Sequence, residues 1–203
     1  MSPARDAIPV LDLGAFRSAG RASFVAALGD AFERYGFVSV VGHGIGAELT
    51  EPLYAAARAL FAQPEAVKGQ YLVPGSGGAR GYTPFGVETA KDQSLPDLKE
   101  FWHVGRELTH AAHPSLLPNV WPREVPEFQP AALALWRALE GLGGELLEAV
   151  ALFLGLPQTW FASAIDHGNS ILRPLHYPPL AGSVRGVRSA AHEDINLITL
   201  LVG

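Results

Sequence analysis

The sequence predicts an α+β chain: a helix-rich portion over roughly the first 168 residues, then a sheet that begins near residue 169 and is still incomplete at Gly203. Three observations carry this reading. Apolar residues recur at helical spacing in several stretches before residue 155, and after Asn169 the period changes to two. The last run, Ile195 to Val202, is largely apolar on both faces, as a strand with neighbours on each side would be. At most two or three strands fit between Asn169 and Gly203, whereas a jelly roll uses about eight.

Each element follows from local pattern. Ala7 to Leu13, "AIPVLDL", alternates over part of its length and reads as a short strand. From Arg21 to Tyr35, Phe24, Leu28 and Phe32 fall at steps of four, an amphipathic helix ending at Gly36. "GFVSVVG", Gly36 to Gly42, is strand-like. Thr50, Glu51 and Pro52 look like a helix start, with Leu53, Ala57, Leu60 and Phe61 as the buried stripe and Pro64 as the stop. Tyr71 to Val120 shows turn residues, aromatics and charges without a period, and is expected to meander along the surface. Pro130 opens a helix to about Leu154, followed by a shorter one around Pro157 to Ile165. "SILRPLHY" and "INLITLLV" are strand-like and bracket a polar loop, Gly182 to Arg188. The expected division is 1–120, a helical segment 121–168, and a sheet-forming segment 169–203.

Composition excludes several classes. With 48% hydrophobic and 17% charged residues the chain has the material for a sizeable core. No apolar stretch reaches the roughly 18 residues of a membrane span, and "MSPARDAIPVLDL" lacks the features of a secretory signal, so the cytoplasm is the expected compartment. A net charge of −5 and lysine at only Lys68, Lys91 and Lys99 argue against nucleic acid and for a small-molecule ligand. Zero cysteines remove disulfides and thiolate ligands, leaving His, Asp and Glu to hold any metal.

Within "AHEDINLITLL", His192 and Asp194 stand at i and i+2, which on a strand places both side chains on one side. An imidazole and a carboxylate, with a second imidazole from elsewhere, make the facial triad that suits ferrous iron and leaves positions open for oxygen and substrate. A chance pairing at the head of a strand is the competing explanation. "GHGIGA", Gly42 to Ala47, matches a dinucleotide-binding glycine pattern, but no buried strand closed by an acidic residue follows the next helix, so a strand-to-helix turn is the better reading. "PGSGGARG" lacks the Lys-Ser/Thr of a phosphate loop. His110 and His113 have ligand-compatible spacing beside the turn-forming Pro114, and His43, His103, His167 and His176 are isolated, read as capping or packing residues. Glu140, Glu145 and Glu148 read as a solvated helix face, and Tyr82, Phe85, Phe101 and Trp102 as core or pocket lining.

Taken together, "IPVLDL", "FERYGFVSVVGHGI", "ALFAQPEAVKGQY", "GARGYTPFGVETA", "DLKEFWHVGRE", "LRPLHYPP" and "AHEDINLITLL" resemble, in order and spacing, the iron(II)/2-oxoglutarate-dependent dioxygenases of the isopenicillin N synthase-like family. The resemblance implies a distorted double-stranded β-helix, a jelly roll, flanked by helices. It assigns His192 and Asp194 as Fe(2+) ligands, and Tyr177 as hydroxyl donor to the carboxylate of 2-oxoglutarate or of a substrate. Residues 1–120 would be the N-terminal dioxygenase region, and 169–203 the start of the oxygenase jelly roll. Leu175 stands where relatives often carry asparagine. A third histidine ligand, and an arginine and serine for 2-oxoglutarate, would lie downstream of Gly203, nine residues after Asp194.

The implied reaction oxidises a small organic substrate with O2 and 2-oxoglutarate, yielding succinate and CO2. Three other readings stay open at this stage: an isopenicillin N synthase-like oxidase that uses no 2-oxoglutarate, a non-catalytic fragment or binding module, and a nicotinamide dehydrogenase built on "GHGIGA". Neither substrate nor oligomeric state is legible.

Overall fold

The computed structural model describes residues 7–89, 95–107, 116–180, 182, 185–192, 194 and 196–202. The chain divides into two compact units, one made of residues up to Ile45 with Leu139–Asp166, the other of Gly46–Ala138 with His167 onward. Helices and short strands are interspersed along the described residues, a mixed α+β chain.

In the first unit β1 (Val10–Asp12) pairs in parallel with β2 (Ser39–Val41), and α1 (Leu13–Phe16) and α2 (Arg21–Tyr35) form the crossover between them. α2 has the bounds the sequence predicts. It buries Phe24, Leu28 and Ala31 and stops at Gly36, whose left-handed backbone lets its N–H donate to the Phe32 carbonyl. Asp12 caps α1 by accepting from the Gly14 N–H at 2.8 Å. That carboxylate fixes what can follow β2. Gly42 has φ +68, and a Cβ there would lie 2.1 Å from Asp12 Oδ1. The glycine of "GHGIGA" is therefore required by a close approach, and His43 Nδ1 accepts the Ile45 N–H as a turn cap. Among the described residues no third strand joins β1 and β2 to make a nucleotide fold: α3 (Ala47–Phe61) leads into α4 (Glu65–Lys68) and a short 3-10 turn, Gly69–Tyr71. Glu145, expected on a solvated face, takes two hydrogen bonds from Arg17 at 2.8 and 2.7 Å.

Two expected boundaries move. α3 begins at Ala47, a turn earlier than Thr50, so Pro52 lies inside the helix and leaves one backbone carbonyl without its intrahelical donor. The long helix α5 runs Phe128–Phe153, and α6 is Ala162–Ile165.

The largest departure lies in the stretch expected to meander. β3 (Gly81–Thr83) and β4 (Glu100–Gly105) pair antiparallel, and β4 also takes β5 (Ile171–Leu172) and β6 (Leu175–His176) as antiparallel partners. All six positions of β4 are buried. Trp102 is fully enclosed by the rings of Tyr71, Tyr82 and Phe128, at centroid distances of 5.4 to 6.5 Å. A strand buried on both faces shows no alternation, and its lead-in, "DLKE", is charged, which hides it from a period-two search.

His103 in β4 is a packed histidine, as expected. The Gly78 carbonyl only accepts, so Nδ1 carries the proton, at 2.5 Å; the Arg173 Nε–H only donates, so Nε2 is bare. Burial, together with the charge of Arg173, pushes the imidazole down to about 4.

Two predictions follow from these contacts. Gly42→Ala strains a left-handed residue against Asp12 and is expected to lower unfolding free energy by about 1–3 kcal/mol in urea titration. His103 is neutral when folded but free to protonate near 6.5 when unfolded, so the unfolded state binds more protons below 6.5. Stability is therefore complete above that pH and falls as pH drops toward 4, by roughly 3 kcal/mol at most. His103→Gln is expected to flatten this stretch of the stability-pH curve, and an unchanged slope would count against a neutral buried imidazole.

Candidate metal and cosubstrate site

His192 Nδ1 lies 2.8 Å from the Ala190 carbonyl. A carbonyl accepts only, so Nδ1 is the protonated nitrogen, and in the neutral ring the lone pair belongs to Nε2. That nitrogen faces Asp194 Oδ1 across 3.6 Å. First-row cations bind imidazole nitrogen and carboxylate oxygen at about 2.0–2.2 Å, so two donors on one ion stand no more than about 4.3 Å apart. The pair fits one ion. Asp194's other oxygen, Oδ2, accepts the Thr199 hydroxyl, and Thr199 in turn accepts from Asn196 Nδ2 at 3.1 Å. Each donor thus has its second polar atom engaged and its first directed at the shared gap, the arrangement that orients ligands for a metal.

The two donors do not sit on a strand. Among the described residues from Ala191 to Val202 none is assigned to a strand, and Asn196 and Leu197 form a bend. The expected strand "INLITLLV" is corrected accordingly: a strand needs ladder partners, and the described residues offer it none. The convergence of the two side chains comes from the Ala190 and Thr199 hydrogen bonds instead. Among the described residues no set of three His, Asp or Glu side chains is grouped to hold a metal. His110 and His113 lie outside the described residues.

The segment leading to His192 rests on buried charge. Asp97, 1% exposed, accepts the Ala190 N–H at Oδ1 (2.9 Å) and Lys99 Nζ at Oδ2 (2.8 Å). Lys99 also reaches Glu88 at 2.8 Å, and Glu88 pairs with Arg173 at 3.2 Å. Burial alone would push the Asp97 carboxyl up, but hydrogen bonds from Lys99 and from the Ala190 N–H hold it below its ordinary value. Burial would lower Lys99, yet its bonds to Asp97 and Glu88 hold it above.

A second buried set starts one residue later. Glu100 accepts from Lys68 (2.6 Å), from the Tyr82 hydroxyl, and from His176 Nδ1 (2.7 Å). These donors outweigh the effect of burial and hold Glu100 below its usual range, while burial and the Glu100 contact push Tyr82 up. His176 stacks on Phe61 at 5.2 Å, so the histidine read as a packing residue has a carboxylate partner as well.

Tyr177, next in the chain, is 39% exposed, and Leu175 is 43% exposed. Phe61, Tyr54, Arg58, Leu175 and His176 border a shallow, mostly apolar cleft of about 230 Å3. His192 and Asp194 do not line it. Reasoning from sequence missed Thr199, Asp97 and Lys99; the only signal was polarity inside or before apolar runs, which does not name a partner.

The N-terminal half of the chain, residues 8–124, matches the family model described as non-haem dioxygenase in morphine synthesis, N-terminal. A validamycin A dioxygenase of Streptomyces hygroscopicus subsp. limoneus is 32% identical over 96% of this chain and 57% of its own length. A 2-oxoglutarate-dependent dioxygenase of Aspergillus niger is 30% identical over 96% of the chain and 63% of its own. The chain thus spans about three fifths of the length of these relatives. In structure it is similar to a 2OG-Fe(II) oxygenase family protein of Caulobacter crescentus, with TM-score 0.77 and 40% identity over 88% of this chain and 59% of that one. A full-length Neurospora crassa protein solved in complex with alpha-KG aligns with TM-score 0.71 and 26% identity, over 84% of this chain and 54% of the other. On the match over residues 8–124 and this run of relatives, the chain belongs to the 2-oxoglutarate- and iron(II)-dependent dioxygenase family.

Proposed function

We propose that the protein is a non-haem iron oxygenase that oxidises a small organic substrate with O2 and 2-oxoglutarate, releasing succinate and CO2. The observation that carries the reading is the facing pair, His192 Nε2 and Asp194 Oδ1, 3.6 Å apart with their other polar atoms engaged. His192 and Asp194 would hold Fe(2+), with a third ligand from downstream of Gly203. Once bound, the iron would supply the redox chemistry that couples 2-oxoglutarate decarboxylation to substrate oxidation.

This chain's own residues have simpler tasks. The Ala190 carbonyl and the Thr199 hydroxyl keep each ligand turned toward the metal position. Tyr177 would donate its hydroxyl to the carboxylate of 2-oxoglutarate or of the substrate, a charge-assisted hydrogen bond. The domain reading is that residues 1–120 form the N-terminal dioxygenase region, 121–168 flank the barrel, and 169–203 open a jelly roll completed by later sequence. It is supported by the family match, which ends at residue 124, and by likeness to 2OG-Fe(II) oxygenases that are longer than this chain.

The direct assay follows O2-dependent succinate formation by the complete gene product with ferrous iron and 2-oxoglutarate. His192→Ala or Asp194→Ala is expected to lower succinate formation by at least about 100-fold, while Tyr177→Phe raises the KM for the carboxylate it binds by about 10-fold. Succinate formation undiminished in both ligand variants would overturn the assignment.

A further inference from the structure

We propose that Asp97 is a positioning residue for metal binding: its buried carboxylate fixes Ala190, so that the Ala190 carbonyl holds His192 with Nε2 turned to the metal. This rests on the reading of His192 and Asp194 as iron ligands.

The two ligands are half exposed, with 48% and 49% of their side chains accessible. Burial therefore does little to hold them, and their orientation must come from the backbone they hang from. That backbone is tied down at two points. Leu98 N–H donates to the Val187 carbonyl at 2.9 Å, and Asp97 Oδ1 accepts the Ala190 N–H at 2.9 Å. Just before them Gly186 passes so close to Pro96 and Leu98 that a Cβ would stand 3.3 Å from both. Of the two anchors, only that at Ala190 acts on the residue whose carbonyl accepts from His192 Nδ1–H.

An ionised carboxylate at 1% exposure is costly unless it is matched. Asp97 is matched on both oxygens, one by Lys99 and one by Ala190 N–H. Lys99 is itself 5% exposed and held from the other side by Glu88, so the carboxylate has little freedom to swing away. The relay from Lys99 through Asp97 and Ala190 to His192 ends on the nitrogen opposite the one that binds. Because Asp97 lies within residues 8–124 and Ala190 does not, the family's N-terminal region would help to set the metal site.

The test uses the complete gene product and Co(2+) alone as probe, read by its visible absorption. Asp97→Ala is expected to weaken Co(2+) binding by at least about 10-fold and to shift the absorption band. The double variant Asp97→Asn with Lys99→Met keeps an acceptor for the Ala190 N–H without a buried unpaired cation, and is expected to bind within about threefold of wild type. A merely structural Asp97 would lower the melting temperature of the metal-free protein, yet leave the affinity and spectrum of folded Asp97→Ala at wild-type values. That result overturns the proposal.

A second measurement needs no variant. In the metal-free wild type the Ala190 amide is expected to exchange with solvent at least about 100-fold more slowly than an unstructured amide, and free exchange there overturns the proposal even if Asp97→Ala fails to fold. If wild-type protein binds no Co(2+), the reading of His192 and Asp194 falls, whereas Ala190 exchange still reports whether Asp97 holds its residue.

Discussion

Charge that is buried must be matched, and the arrangement around β4 follows from that constraint. The strand and its lead-in carry Asp97, Lys99 and Glu100, each 5% exposed or less. Leaving one of them unpaired costs about 3–5 kcal/mol, a large share of what a domain has to spare. Each is accordingly satisfied by a partner distant in sequence: Asp97 by Ala190, Lys99 by Glu88, Glu100 by Lys68, Tyr82 and His176. Two of these partners, Ala190 and His176, lie in the segments that lead into His192 and Tyr177. A requirement of electrostatics thus brings the candidate site residues' backbone to β4.

The two polar sets have different consequences. Around Glu100 the donors are side chains, and their effect is to tie β4 to β3, to β6 and to the end of α4, with Phe61 stacked on His176. Around Asp97 the decisive donor is a backbone N–H, so what is fixed is the path of the chain. Position along the path then decides which imidazole nitrogen is protonated. The Ala190 carbonyl accepts from Nδ1–H, leaving the bare Nε2 beside a carboxylate whose own second oxygen accepts from Thr199.

Local signals in the sequence were legible and non-local ones were not. α2 was predicted from Arg21 to Tyr35 because its apolar steps of four and the stop at Gly36 are properties of the segment itself. β1, β2, β5 and β6 fall within the stretches read as strand-like for the same reason. β4 escaped because burial on both faces erases alternation. The run after Asp194 has the composition of a strand, but a strand exists only with a ladder partner, and none is present among the described residues. At the candidate site, the i, i+2 spacing of His192 and Asp194 and the family resemblance single out the two residues whose facing atoms stand 3.6 Å apart. The roles of Ala190, Thr199 and Asp97 depend on which atoms meet in space, and spacing along the chain carries no trace of that.

The proposed function requires one cation between His192 Nε2 and Asp194 Oδ1. A crystal structure of the complete gene product grown with Mn(2+), with the ion located by anomalous scattering, tests it most directly. The expected result is a single strong peak within about 2.3 Å of both atoms, with His192 Nδ1 still within hydrogen-bond distance of the Ala190 carbonyl. A peak bound through Nδ1, or one at another site while His192 and Asp194 remain unligated, would contradict it.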